Sequence, residues 1–246
     1  MKNIAYIILF LSQAVFAQSF IKGNELYRKG DFAGAAKQYE GLLKGGEESE
    51  EVYFNLGNAY YKQEKVAPAI YNYEKALQLN PRHTETEENL ALAHKLVIDD
   101  IKPTPRTGVS KALYSLTGKY HYDSWAWVAV SFSGFCLVLF LGYYLAESTA
   151  IKRIFFTGMF VAILGIVFSI LAAVFVRSKK SNEHPAIVFA EVVALKADPN
   201  EKAKDVFILH EGTKVNVNDT KGGWKKVVLE DDSVGWIDKD AIKELE

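Results

Sequence analysis

The side chains best suited to metal or proton chemistry in this 246-residue chain are five histidines, His83, His94, His121, His184 and His210. They are scattered, and none stands at ligand spacing from a second histidine or a cysteine, so no metal site is expected. Cys136 is the single cysteine and lies in an apolar run, which excludes an intramolecular disulfide and a thiolate cluster. Paired carboxylates such as Glu47-Glu48 and Asp231-Asp232 fall in turn-like segments and read as solvated. The stretch Asp198 to Asp205 lacks the glycine and closing glutamate of a calcium loop. Neither a phosphate-cradling Gly-x-x-x-x-Gly-Lys run nor a Gly-x-Ser-x-Gly elbow occurs. No catalytic residue, metal or cofactor is therefore expected, and a hydrolase or transferase has no constellation to work with.

What remains is recognition by amide, aromatic and basic side chains, and its geometry depends on the elements that carry them. Charge divides the chain into blocks. Residues 18–100 hold 10 Lys/Arg against 14 Asp/Glu, and residues 186–246 hold 9 against 13. The intervening 101–185 hold 9 basic and 3 acidic residues beside long apolar runs. Those cations suit lipid headgroups, and nucleic acid is not expected as a partner.

Residues 1–17 read as a signal peptide: Lys2, the apolar run Ile4 to Leu11, then Val15-Phe16-Ala17 before Gln18. That run is too short to cross a bilayer core of about 30 Å. Two later stretches, 124–146 and 154–176, carry no charge and hold 23 residues each. At about 1.5 Å per residue each makes a helix of roughly 34 Å, so both read as transmembrane helices. The short link Glu147 to Arg153 makes them an antiparallel hairpin, with both soluble blocks on one side of the cytoplasmic membrane. Export by the signal peptide puts those blocks in the periplasm and leaves Lys152 and Arg153 inside, as the positive-inside rule prefers, although Arg177, Lys179 and Lys180 then lie outside. Small residues along the second span, Gly158, Ala162, Gly165, Ser169 and Ala173, offer a seam for close helix approach or reflect the ordinary Gly and Ala content of such helices.

Residues 18–100 repeat at an offset of 34, which aligns Gly23 with Gly57, Asn24 with Asn58, Ala35 with Ala69 and Tyr39 with Tyr73. From Glu50 to His83 the order Tyr53, Leu56, Gly57, Tyr60, Ala69, Tyr73, Ala76, Pro81 resembles a tetratricopeptide repeat. Gly57 and Ala69 leave room where two helices touch, while Tyr60, Tyr73 and Leu77 fill the space between repeats. Pro81 stops the second helix. A third partial unit, Thr84 to Val97, is expected to cap the stack. The resemblance implies a groove lined by the first helix of each repeat. Carried over position by position, it comprises Asn24, Tyr27 and Arg28, then Phe54, Asn58, Tyr61 and Lys62, then Glu88 and Lys95. Paired Asn and Arg or Lys are similar to the clamp by which some such domains hold a terminal carboxylate, though the third unit lacks the expected basic pair. The alternative is that these polar residues only solvate an exposed helix face.

Ile101 to Gly108, with two prolines and a glycine, opens a linker over 101–123 that leads into Trp125 and Trp127, which suit a membrane interface. From 186 to 246 the period changes to short strands, Ile187 to Leu195, Val206 to Leu209, Lys214 to Val217, Trp224 to Leu229 and Val234 to Ile237. With Leu209-His-Glu-Gly-Thr-Lys-Val215, Gly223-Trp224 and Gly235-Trp236-Ile237, this block resembles bacterial SH3-like barrels. Trp224 and Trp236 could form an aromatic recognition surface for peptide or cell-wall stem peptides; alternatively one or both sit in the barrel core, which is the expectation for Trp236. The family's usual Arg-Ser-Gly-Pro turn is replaced by Lys196-Ala-Asp-Pro-Asn200, which counts against a transfer of cell-wall binding.

The whole therefore reads as a multidomain membrane protein made of an all-α tetratricopeptide solenoid, a two-helix transmembrane hairpin and an all-β SH3-like barrel. This order resembles the E-type proteins of Bacteroides aerotolerance (Bat) operons, and Gln18 after the cleavage site suits Bacteroidetes-type secretion. The resemblance implies other envelope proteins as partners, among them membrane proteins with von Willebrand factor A domains and a MoxR-type ATPase, in stress or oxygen tolerance. The expected function is an envelope scaffold binding a partner segment in the groove, with the lipid bilayer as a further partner. Its rival is a peptidoglycan sensor acting through the SH3-like block.

Overall fold

The computed structural model describes residues 18–46, 48–102, 104, 116–117 and 120–245. The signal peptide expected over 1–17 and the linker stretch 105–115 lie outside the described residues. The chain divides into two compact units, Met1–Thr104 with His184–Glu246, and Pro105–Glu183.

In the first unit, helix α1 (18–28) turns at Gly30, whose φ of 83° favours glycine, into α2 (Phe32–Lys44). Asp31 caps α2 by accepting from the Gly34 amide. The second repeat follows as α3 (Glu50–Tyr61), capped by Ser49, and α4 (Val66–Leu79), which ends before Pro81. Each pair closes over a small residue. A Cβ on Gly23 would stand 2.5 Å from the Tyr39 ring, and one on Gly57 would stand 2.7 Å from Tyr73. Tyr39 and Tyr73 are buried, as are Ala35, Ala69 and Ala76 around them. Helix α5 (Thr84–His94) begins a third unit, and Leu90, Ala93 and Val97 turn inward against α4.

No second helix follows α5 before the linker; the carboxy-terminal sheet lies against α4 instead. Ile187 and Leu245 join Ala67, Ile70, Tyr73 and Ala93 in one apolar cluster. Ile187 is fully buried there, and removing such a side chain from water contributes about 1.5–3 kcal/mol. Gly212, at φ 87°, brings its backbone onto α4 and the chain after α5. A Cβ there would meet Val97, Val66 and Ile70 at 2.9–3.1 Å. Polar ties surround this contact. Gln78 donates to the Leu245 carbonyl at 3.0 Å, Lys214 pairs with Glu74 at 2.6 Å, and Tyr71 meets Phe189 edge-on.

The sheet itself is antiparallel and seven-stranded: β1 (Pro185–Val188), β2 (Val192–Lys196), β3 (Asp205–His210), β4 (Lys214–Lys221), β5 (Trp224–Val228), β6 (Val234–Asp238) and β7 (Ile242–Glu244). Its order is β3-β2-β6-β5-β4-β1-β7. The expected barrel closure is not seen, because β1 spends its two edges on β4 and β7, leaving β7 and β3 as opposite ends of the ladder. Leu195, Leu209, Val227 and Ile237 fill its inner face.

The second unit contains α6 (Tyr122–Leu145) and α7 (Thr149–Asn182). Tyr122–Leu145 and, within α7, Thr149–Ser178 are apolar and long enough to cross a membrane. Gly142 and Gly165 face inward: a Cβ on Gly142 would meet Phe155 at 2.7 Å, and one on Gly165 would meet Phe132 at 2.9 Å. Gly158 packs on Leu139, so the small-residue seam of α7 serves the hairpin's own contact.

Candidate partner-binding groove

The first helices of the repeats stand side by side, joined by amide side chains. Asn55 on α3 donates to the Asn24 Oδ1 of α1 at 3.2 Å, and Asn89 on α5 donates to the Asn58 Oδ1 of α3 at 2.8 Å. Each acceptor also takes a tyrosine hydroxyl from its own second helix, Tyr39 on Asn24 at 2.6 Å and Tyr73 on Asn58 at 2.7 Å. The result is one three-residue lattice built twice, Asn24–Tyr39–Asn55 and Asn58–Tyr73–Asn89.

These bonds change what the two asparagines can do. Their amide oxygens are committed inside the stack, so only the amide nitrogens can serve a ligand, as donors to a carboxylate or carbonyl. Burial pushes the Tyr39 hydroxyl up to about 12, with Tyr27 adding and Arg28 opposing, so it stays a donor at any physiological pH. Burial likewise raises Tyr73, helped by Tyr27 and Tyr61. Tyr60 and Tyr53 are raised by burial and then by their hydrogen bonds to Glu40 and Glu48.

The remaining expected groove residues are more open. Tyr27 and Tyr61 are half-buried, and Tyr27 leans edge-on to Phe32 at 5.1 Å. Phe54 is half-buried between Tyr73 and His83, with the imidazole edge-on at 5.0 Å. Arg28, Lys62, Glu88 and Lys95 are exposed. Arg28 donates back to the Asn24 carbonyl, while Lys62 and Lys95 are the C-cap residues of α3 and α5, where cations complement the helix dipole. Leu92 and Leu96 also stand exposed on and just beyond α5, at 44% and 45%, and extend the apolar surface. The structure thus offers aromatic rings with cations at the helix ends. The third level supplies Lys95 beside Glu88 and not a basic pair, so a terminal-carboxylate clamp of the usual kind is not assembled.

Asn55 and Asn89 escaped the sequence reading although the offset of 34 relates them. They fall outside the small-and-aromatic motif that defines the repeat, and identity at that offset was the signal that would have found them. On the sheet, Trp224 opens β5 half-buried, opposite Asp238. Trp236 is not in the core as expected. Gly235 and Ile237 take the inward positions of β6, and Trp236 points outward, opposite Lys226 on β5 and Lys196 on β2. Among the described residues no group of three or more His, Cys, Asp or Glu is placed to hold a metal ion.

A tetratricopeptide repeat model matches residues 50–83, and a TPR repeat model matches residues 23–64. A heat shock protein sti1 homolog of Schizosaccharomyces pombe is 38% identical over 64 residues, which is 26% of this chain and 11% of that protein. Tetratricopeptide repeats are therefore present, and repeats of this kind make a protein–protein interaction scaffold.

Proposed function

We propose that the chain is a membrane-anchored scaffold of the cell envelope. A segment of a partner protein lies across α1, α3 and α5, while α6 and α7 hold the scaffold in the cytoplasmic membrane with its repeats and SH3-like sheet in the periplasm. The observation that carries this reading is the row of first helices. Asn24–Asn55 and Asn58–Asn89 lock them side by side, and the half-exposed Tyr27, Phe54 and Tyr61 share that surface with Arg28, Lys62 and Lys95. Such a surface suits a segment with apolar anchors and acidic neighbours. By its resemblance to Bat-type proteins, the partner is a membrane protein with a von Willebrand factor A domain, working with a MoxR-type ATPase in stress or oxygen tolerance. The test is photo-crosslinking in cells from position 61, with position 37 on the exposed face of α2 as control. An adduct with one membrane protein from position 61 and not from 37 is expected. Equal labelling from both positions would remove the groove from consideration.

A further inference from the structure

The outer face of the sheet has a composition that the scaffold reading does not use. Register along β2, β6 and β5 sets Lys196 opposite Trp236, Trp236 opposite Lys226, Val228 opposite Val234, and Trp224 opposite Asp238, all on the face away from the core. Beyond β2, Ile208 pairs with Ala194 on the same face. Val192, Ile208 and Val234 are exposed by 59%, 54% and 43%, high for branched apolar side chains in a sheet. An apolar patch of this kind, threaded with tryptophan and lysine, marks an interaction surface.

We propose that this face lies on the surface of a phospholipid bilayer, with Val192, Ile208, Val234 and the two tryptophan rings in the headgroup–acyl boundary and Lys226 reaching the phosphates. The inference rests on the reading of α6 and α7 as membrane-spanning. Two observations choose lipid as the occupant. Only Glu183 and His184 separate the end of α7 from β1, so the sheet is tethered directly to an apolar helix whose terminal stretch holds Arg177, Lys179 and Lys180, the cations of a headgroup level. The side-chain chemistry is also that of the interfacial zone: indole rings prefer the boundary between apolar and wet layers, and lysine stems lie along apolar surface while the ammonium reaches anionic headgroups. The apolar residues are spread over four adjacent strands, which fits a broad planar partner.

The experiment uses the full chain with Cys136→Ser, reconstituted in vesicles containing anionic and zwitterionic phospholipid. Single spin labels are placed at Ile208, Val234, Phe160 on α7 and Lys37 on α2. Accessibility to oxygen and to a water-soluble nickel chelate is read at each. The expected result is an oxygen-to-nickel ratio several-fold higher at 208 and 234 than at 37, approaching that at 160. A lipid-like ratio at 160 with water-like ratios at 208 and 234 overturns the proposal and leaves the membrane-spanning reading intact. Water-like ratios at all four positions overturn both. Labels at 208 and 234 that neither reagent reaches show a face covered by protein. Retention of the detergent-solubilised chain on purified peptidoglycan, lost in Trp224→Ala, assigns the face to the cell wall. Either of these last results also overturns the proposal.

Discussion

Asp99 follows α5 and ties the repeats to the sheet through hydrogen bonds, so its replacement gives a sharp test of how that contact is held. Its side chain is 6% exposed. Oδ2 accepts from the His210 backbone amide at 2.8 Å and the Thr213 hydroxyl at 2.6 Å, while the His210 Nδ1 lies 2.7 Å from Oδ1. Asp99→Ala leaves three partners unsatisfied, at about 1 kcal/mol or more each, for a total near 3 kcal/mol. For a unit of this size that is a fall in Tm of about 6–12 °C. Asp99→Asn behaves differently. Its amide oxygen still accepts from the His210 amide and the Thr213 hydroxyl, so the loss is that of the charge and the ring contact, about 1 kcal/mol. Acid separates the variants further. Burial works to raise the Asp99 carboxyl, but the hydrogen bonds from Thr213 and from the His210 amide and ring outweigh it and hold it below the usual range. A carboxyl depressed by folding adds stability above its unfolded value and loses it as pH falls through the folded one. Both variants should therefore show a shallower loss of stability in acid. The assay is thermal unfolding of the full chain in detergent from neutral pH downward, with hydrogen exchange at the His210 amide. Equal losses for Ala and Asn, or a cost for Ala well under 1 kcal/mol, would refute the reasoning.

Three further outcomes follow from the packing. Tyr73→Phe and Asn58→Ala should each cost about 1 kcal/mol in denaturant unfolding, and a double-mutant cycle should return a coupling of about 0.5 kcal/mol or more, since the two share a hydrogen bond of 2.7 Å. In a spectrophotometric titration Tyr39, Tyr53, Tyr60 and Tyr73 should stay protonated when exposed tyrosines ionise near pH 10; because folding raises these groups, the stability they add should fall as pH rises through and above 10. Gly142→Ala should destabilise the hairpin in detergent, because its Cβ would meet the Phe155 ring at 2.7 Å, whereas Gly134→Ala, with nothing within 4 Å, should gain up to about 1 kcal/mol of helix propensity.

The helical half was legible because a repeat states its contacts twice. Gly23 and Gly57 recur 34 residues apart for one reason, the ring of Tyr39 or Tyr73 against the backbone. The sheet was harder to read. The apolar run from Ile187 to Leu195 read as one strand, yet it breaks after Val188, where the amides of Phe189 and Ala190 turn to the Ala241 carbonyl. Strand β7 is three residues long and shows no run to detect. Trp236 reads from the sequence as a core residue. What decides its direction is Gly235, where a Cβ would lie 2.5 Å from Leu195, so β6 must present its glycine inward. The union of repeats and sheet left no trace in local pattern, because Asp99 and His210 are 111 positions apart with the whole hairpin between them.

That union bears on how a scaffold of this design works. A solenoid of two and a half repeats exposes the apolar flank of its last second helix, and here Ile187 and Leu245 cover the flank of α4 in place of another helix. Phe54 and Tyr61, the most apolar of the groove residues, pack against the same cluster. A segment bound across α3 therefore presses on side chains that also touch those covered by the sheet, and interiors at crystal-like density do not absorb a ring movement locally. Any partner that changes the rotamer of Phe54 must repack Tyr73, to which its ring lies 6.4 Å away, and Tyr73 in turn is held by Asn58 and sits in the cluster that includes Ile187. Phe54 and Tyr61 of the candidate groove and Ile187 and Leu245 of the sheet thus share one apolar cluster within one unit.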